Sequence, residues 1–199
     1  MRTVSRLFDD YGAAKQAVAD LEAAGIPSGD ISIVASNVDN KYDRDGDGVD
    51  DRAEAAGTGA GLGATAGGVA GLLTGLGIMA IPGVGPVVAA GWLATTALGA
   101  LAGGAVGGAV GGVIGALTQA GVDEEDAQVY AEGIRRGGTL VTVRAEPDTA
   151  ARAEAILDRQ GVLAADRGKA YRESGWSRFD EAADPYTAEQ VREEKSRYQ

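Results

Sequence analysis

Thr3-Val4-Ser5-Arg6-Leu7-Phe8-Asp9-Asp10, then an alanine-rich run closing on Leu21-Glu22-Ala23-Ala24-Gly25-Ile26-Pro27, then Asp30-Ile31-Ser32-Ile33-Val34-Ala35, reads as strand, helix and strand. The first piece alternates, as a half-buried strand does. Asp9 and Asp10 offer an N-cap, and Ala14, Ala17, Val18, Leu21 and Ala24 recur at helical spacing. Gly25 suits the position just past a helix, and Pro27 forbids its continuation. Met1 leads into this strand without the apolar run of a secretory signal.

The same plan returns near the other end. Displacing the first unit by 136 positions lays Thr3 on Thr139, Ala14 on Ala150, Leu21 on Leu157, Gly25 on Gly161 and Asp30 on Asp166. Leu140-Val141-Thr142-Val143 is the strand, Ala150 to Gln160 the helix, and Val162 to Ala165 the start of a returning strand. Neither unit can bury its sheet alone. Together they predict an α+β domain, a four-stranded antiparallel sheet with two helices on one face, which is the ferredoxin-like split β-α-β arrangement.

Between the halves, Gly57 to Gly121 lacks any charged side chain and holds 21 glycines. Each glycine weakens a helix by ~1 kcal/mol relative to alanine, so that many need a compensating reason. The spacing supplies one. Gly59, Gly63, Gly67, Gly71 and Gly75 recur every fourth residue, as do Gly99, Gly103, Gly107, Gly111 and Gly115. Residues so spaced share a helix face, where two backbones can approach closely. Ile81-Pro82-Gly83-Val84-Gly85-Pro86 reads as the turn between them. The expectation is a glycine-zipper α-helical hairpin whose arms, of roughly 24 and 30 residues at ~1.5 Å each, are long enough for a bilayer. Helices apolar all round are covered by lipid or by protein; length favours lipid, and the weak hydrophobicity of Ala and Gly favours protein.

The segments are therefore 1–38, a first β-α-β half; 39–56, an acidic linker; 57–121, the hairpin; 122–170, a helix and the second half; and 171–199, a C-terminal arm. The linker carries Asp43-Arg44-Asp45-Gly46-Asp47-Gly48-Val49-Asp50-Asp51-Arg52-Ala53-Glu54, which has the spacing of a twelve-residue calcium loop. Its ligands would be Asp43, Asp45, Asp47, the Val49 carbonyl, Asp51 and Glu54, with Gly48 allowing the sharp turn. Asp50 stands where an EF-hand has an apolar residue, and no amphipathic helix precedes it, so the loop resembles isolated calcium loops of thrombospondin-type or dockerin-like repeats. A solvated acidic linker is the competing reading. Calcium is the one cofactor suggested.

The arm holds half of the chain's aromatics, Tyr171, Trp176, Phe179, Tyr186 and Tyr198, set among charges. Aromatics so spaced suggest an arm pinned into grooves of its own or a neighbouring domain. Thr187-Ala188-Glu189-Gln190 is a capping box.

With neither Cys nor His, thiol nucleophiles, imidazole bases and zinc sites are excluded. A net charge of −11 argues against nucleic acid. No catalytic constellation is visible, and the chain reads as non-enzymatic.

The motifs quoted from Thr3 to Ala35 resemble the N-terminal domain of bacterial general stress proteins, the YflT-like, heat-induced stress family. Pro82-Gly83-Val84-Gly85-Pro86 and Ala131-Glu132-Gly133-Ile134-Arg135-Arg136-Gly137-Gly138-Thr139-Leu140-Val141 are similar to the centre and second half of its longer members. The resemblance implies no activity and no catalytic residues. The leading expectation is a stress-associated membrane or envelope-associated structural protein, a homo-oligomer whose hairpins sit in the inner-membrane bilayer with both termini cytoplasmic. The alternative is a self-assembling, soluble cytoplasmic scaffold with the hairpins buried in its core, calcium-responsive if the loop is occupied.

Overall fold

The computed structural model describes residues 1–38, 77–96 and 112–197. They form a mixed α+β fold around one five-stranded antiparallel sheet. The strands are β1 (Arg2–Phe8), β2 (Ile31–Ser36), β3 (Gly77–Ile81), β4 (Gly85–Gly91) and β5 (Thr139–Ala145), in the order β1-β5-β2-β4-β3. The helices are α1 (Tyr11–Ala23), α2 (Val113–Gln119), α3 (Glu124–Arg135), α4 (Pro147–Leu157), α5 (Ala164–Glu173) and α6 (Ala188–Ser196). A further helical turn spans 92–96.

The two chain ends share the sheet. β5 lies between β1 and β2 and is antiparallel to both, with Val4 opposite Val143 and Ile33 opposite Val141. Strand alternation then divides the core into two. On one face Val4, Phe8, Ile31, Ile33, Val141 and Val143 pack against Ala14, Val18 and Leu21 of α1 and Ala153, Ile156 and Leu157 of α4. On the other, Leu7, Val34, Val87, Ala89 and Leu140 meet Leu117 of α2, Val129, Tyr130 and Ile134 of α3, and Tyr171 of α5. Each fully buried Val, Leu or Ile contributes about 1.5–3 kcal/mol. Helices therefore cover both faces, where the sequence reading placed them on one. The reason is that the helix at Glu124–Arg135 buries Ala127 and all of Val129 to Ile134, so it needs a sheet face of its own.

Three further expectations are corrected. Residues 77–91 are a β-hairpin, with Ala80 opposite Pro86, and not the ends of two helices. Val87-Val88-Ala89-Ala90 is a short apolar run buried from both sides, which periodicity does not separate from a buried helix. The four-residue glycine rhythm also breaks here, between Gly75 and Gly99. Pro86 is tolerated because its missing N–H would face the end of β2, where Asn37 N–H donates to the Pro86 carbonyl (2.8 Å). Among the described residues no helix is long and apolar enough to cross a membrane. That overturns a transmembrane hairpin turning at 81–86. The returning strand at Val162 shrinks to a single antiparallel bridge with Leu7, because Leu163 caps α5 and the chain turns helical at Ala164.

Candidate interaction site at the sheet edge

β1 ends the sheet on one side, and a groove of about 480 Å3 runs along it. Its floor is Arg2 to Arg6; its walls come from Ala120 to Asp123 and from Asp126 and Tyr130 of α3, from Glu154 of α4, and from Leu163 to Ala165. The loop from α2 into α3 is tied to the strand by Thr3 Oγ1, which donates to the Ala120 carbonyl (2.6 Å). The buried Tyr130 hydroxyl donates to the Ser5 carbonyl (2.7 Å), and burial pushes its pKa up to about 12, so it remains a donor throughout the neutral range.

Charge is unevenly balanced along this groove. Arg2 pairs with Glu154 (2.8 Å) and Arg6 with Asp158 (2.6 Å). Asp123 and Asp126 make no ion pair among the described residues. Burial, then the neighbouring Asp123 and Glu125, hold the Asp126 carboxyl above its ordinary range. Met1 and Leu163, both lining the groove, are the large apolar side chains left exposed among the described residues.

A second polar assembly lies inside the protein. Arg136 Nε donates to Glu132 (2.7 Å) and its Nη1 to Glu194 of α6 (3.1 Å), all three groups being buried. Burial lowers the Arg136 pKa, but the hydrogen bond and charge of Glu132 outweigh it, and the net shift is upward. The guanidinium lies 4.2 Å over the Tyr171 ring. Beside it Arg167 holds both oxygens of Asp9 (2.8 and 2.7 Å). The space between these groups is about 10 Å3, room for a water at most. This is a clamp that fixes α6 and α5 to α3.

The rest of the arm continues the clamp. Trp176 and Phe179 pack on the second core, and Arg135 lies 5.0 Å over the Tyr186 ring. Thr187 and Gln190 form both bonds of the capping box that starts α6.

The candidate residues from the sequence lie mostly elsewhere. Asp43, Asp45, Asp47, Val49, Asp51 and Glu54 are outside the described residues, as are Gly59, Gly63, Gly67, Gly71, Gly75, Gly99, Gly103, Gly107 and Gly111. Gly115 sits half-buried in α2, a seven-residue helix. Among the described residues no group of three or more acidic side chains could hold a metal ion. Sequence reading missed Ser5, Tyr130, Asp126 and Leu163, which only the fold brings together. It could have found the clamp: Glu132 and Arg136 are one helical turn apart, beside the apolar Val129, Ala131 and Ile134.

No protein-family model, no curated protein and no solved structure matches this chain. The resemblance to general stress proteins rests on its motifs alone.

Proposed function

We propose that the protein is a non-enzymatic, self-assembling structural protein whose uncharged segment is covered by protein. One observation carries this reading. The turn at 82–84, in the middle of that segment, lies under the chain's own C-terminal arm: a Cβ placed on Gly83 would stand 2.7 Å from Glu181 Cα. Ile81, Val84, Val87, Val88 and Leu93 around it are buried as well. The parallel pair β1 and β2 about β5, with the Val162 bridge beyond β1, supports an elaborated ferredoxin-like sheet to which the β3–β4 hairpin is added. The mutual neutralisation of the buried charges supports a structural over a catalytic role. The resemblance to stress proteins supports a role under stress.

The assembly surface is the outer edge of β3, the last strand of the described sheet. Gly77-Ile78-Met79-Ala80-Ile81 has no charge and no proline, the features that normally block edge-to-edge pairing. Because Pro86 turns its carbonyl to Asn37, Ala80 opposite turns its own N–H and C=O outward. Sedimentation velocity across a concentration range tests the reading. An assembly larger than one chain is expected, and Ala80→Lys, an exposed position, should shift it towards monomer. A wild-type monomer at every concentration would end the proposal.

A further inference from the structure

The chain begins to fill a strand position beside β1 and then leaves it. Val162 and Leu7 exchange backbone hydrogen bonds in both directions, at 2.7 and 3.1 Å. One step further would lay the chain along Arg6 and Ser5, antiparallel to them. Instead Leu163 caps α5 and the backbone departs. The position left over is the groove along Arg2 to Arg6.

The backbone on its floor points outward. Leu7 turns both its polar groups to Val162, so Ser5 and Thr3, at the preceding alternate positions, face the same way. The Ser5 carbonyl is taken by Tyr130 and by Arg6 Nη1 (2.7 Å). The Ser5 N–H and both backbone groups of Thr3 have no hydrogen bond among the described residues. Ser5 Oγ, on a residue only 5% exposed, also lacks one. Buried or semi-buried polar groups of this kind are the binding groups of strand addition, in which an extended peptide pairs with a sheet edge.

We infer that the groove receives an extended segment of a partner protein as an added strand antiparallel to β1. A lysine or arginine of that segment meets Asp123 and Asp126, and an apolar residue meets Leu163. Charge selects this occupant. The floor arginines are already neutralised by Glu154 and Asp158, whereas the two aspartates have no cation among the described residues and crowd one another. A second copy of β1 fits worse. In the antiparallel register centred on Val4, which sets Thr3 opposite Ser5, Arg2 falls directly opposite Arg6, and like charges so placed are destabilising. Nor would that copy have an uncommitted base for the aspartates.

The inference does not rest on assembly through β3, and its test separates the two. The probe is a short fluorescent peptide of alternating lysine and valine, titrated against the full chain by polarisation. Controls are the glutamate–valine peptide and a lysine–valine peptide N-methylated at alternate amides, which cannot complete a ladder. Only the first should bind; Asp123→Asn/Asp126→Asn should weaken it several-fold, and Ala80→Lys should leave it unchanged. Hydrogen exchange on the wild-type chain should show the Thr3 and Ser5 amides protected by the peptide. Absence of binding, equal binding of the N-methylated peptide, or protection confined to other amides would each overturn the inference. So would concentration-dependent protection of those amides without peptide, which would give the slot to a second copy.

Discussion

Gly83, at the tip of the β3–β4 hairpin, lies against the backbone of Glu181, nearly a hundred positions further along the chain. Gly83 has φ +72, a conformation glycine adopts without strain, and the contact leaves no space for a side chain. Next to it, a Cβ on Gly85 would stand 2.8 Å from Pro185 Cβ. The arm from Trp176 to Pro185 thus closes over the turn of the uncharged segment.

Gly83→Ala should loosen that cover. Both the backbone conformation and the missing space oppose a methyl group, and overpacking of this kind costs about 1–3 kcal/mol. The midpoint of urea unfolding should fall, and trypsin should cleave the arm at Arg178 faster than in the wild type. Unchanged cleavage would mean that the arm does not depend on Gly83.

Much of the sheet was legible in the sequence because short runs rich in β-branched residues and bounded by turn residues leave a local trace: Thr3 to Phe8, Ile31 to Ala35 and Leu140 to Val143 are strands as read, although both of their faces are covered and not one. The β-hairpin was not. Its strands are buried on both faces and short, so Val87 to Ala90 show no period that separates strand from helix. The returning strand was misread for another reason. Val162 to Ala165 has strand-like residues, but α5 gains the Arg167–Asp9 pair and the burial of Tyr171 by starting at Ala164. The groove left no local trace at all. Its walls come from Thr3, Asp126, Glu154 and Leu163, and no spacing rule connects them.

Arg136→Met should be among the most damaging single changes. It leaves the Glu132 and Glu194 carboxylates buried without their shared cation, and breaking such a group costs about 3–5 kcal/mol. Arg135 and Arg197, also in contact with these acids, should keep the loss near the lower end. A triple variant Glu132→Leu/Arg136→Met/Glu194→Leu should recover part of the stability in chemical denaturation. If it is less stable than Arg136→Met alone, the cluster contributes net stability as an ion group.

The acidic run at Asp43 to Glu54 gives a prediction from spacing alone. Six carboxylates within twelve residues, five of them at ligand positions, repel one another unless a cation joins them, and calcium accepts that many oxygens. Calorimetry should show calcium binding to the full chain at or below millimolar concentration and its loss in Asp43→Ala/Glu54→Gln. Heat exchanged equally by both proteins would make the run an acidic linker.

Tyr130 should give the protein an alkaline weakness. Burial, chiefly, raises its pKa to about 12, with Asp126 adding to the shift and Arg6 opposing it. An unfolded tyrosine titrates near ~10. Between those values the unfolded chain releases a proton that the folded chain keeps, so stability from this group is intact below about pH 10 and is lost as pH rises through about 12. Two units correspond to at most about 2.7 kcal/mol. Tyr130→Phe removes the titration and also the bond to the Ser5 carbonyl, which costs about 0.5–1.5 kcal/mol at neutral pH. The variant should therefore start less stable at neutral pH and lose less on the way to alkaline pH, so that the two unfolding curves converge. Parallel loss in both proteins would place the alkaline weakness on other groups and the Tyr130 hydroxyl in a wetter site than this structure shows.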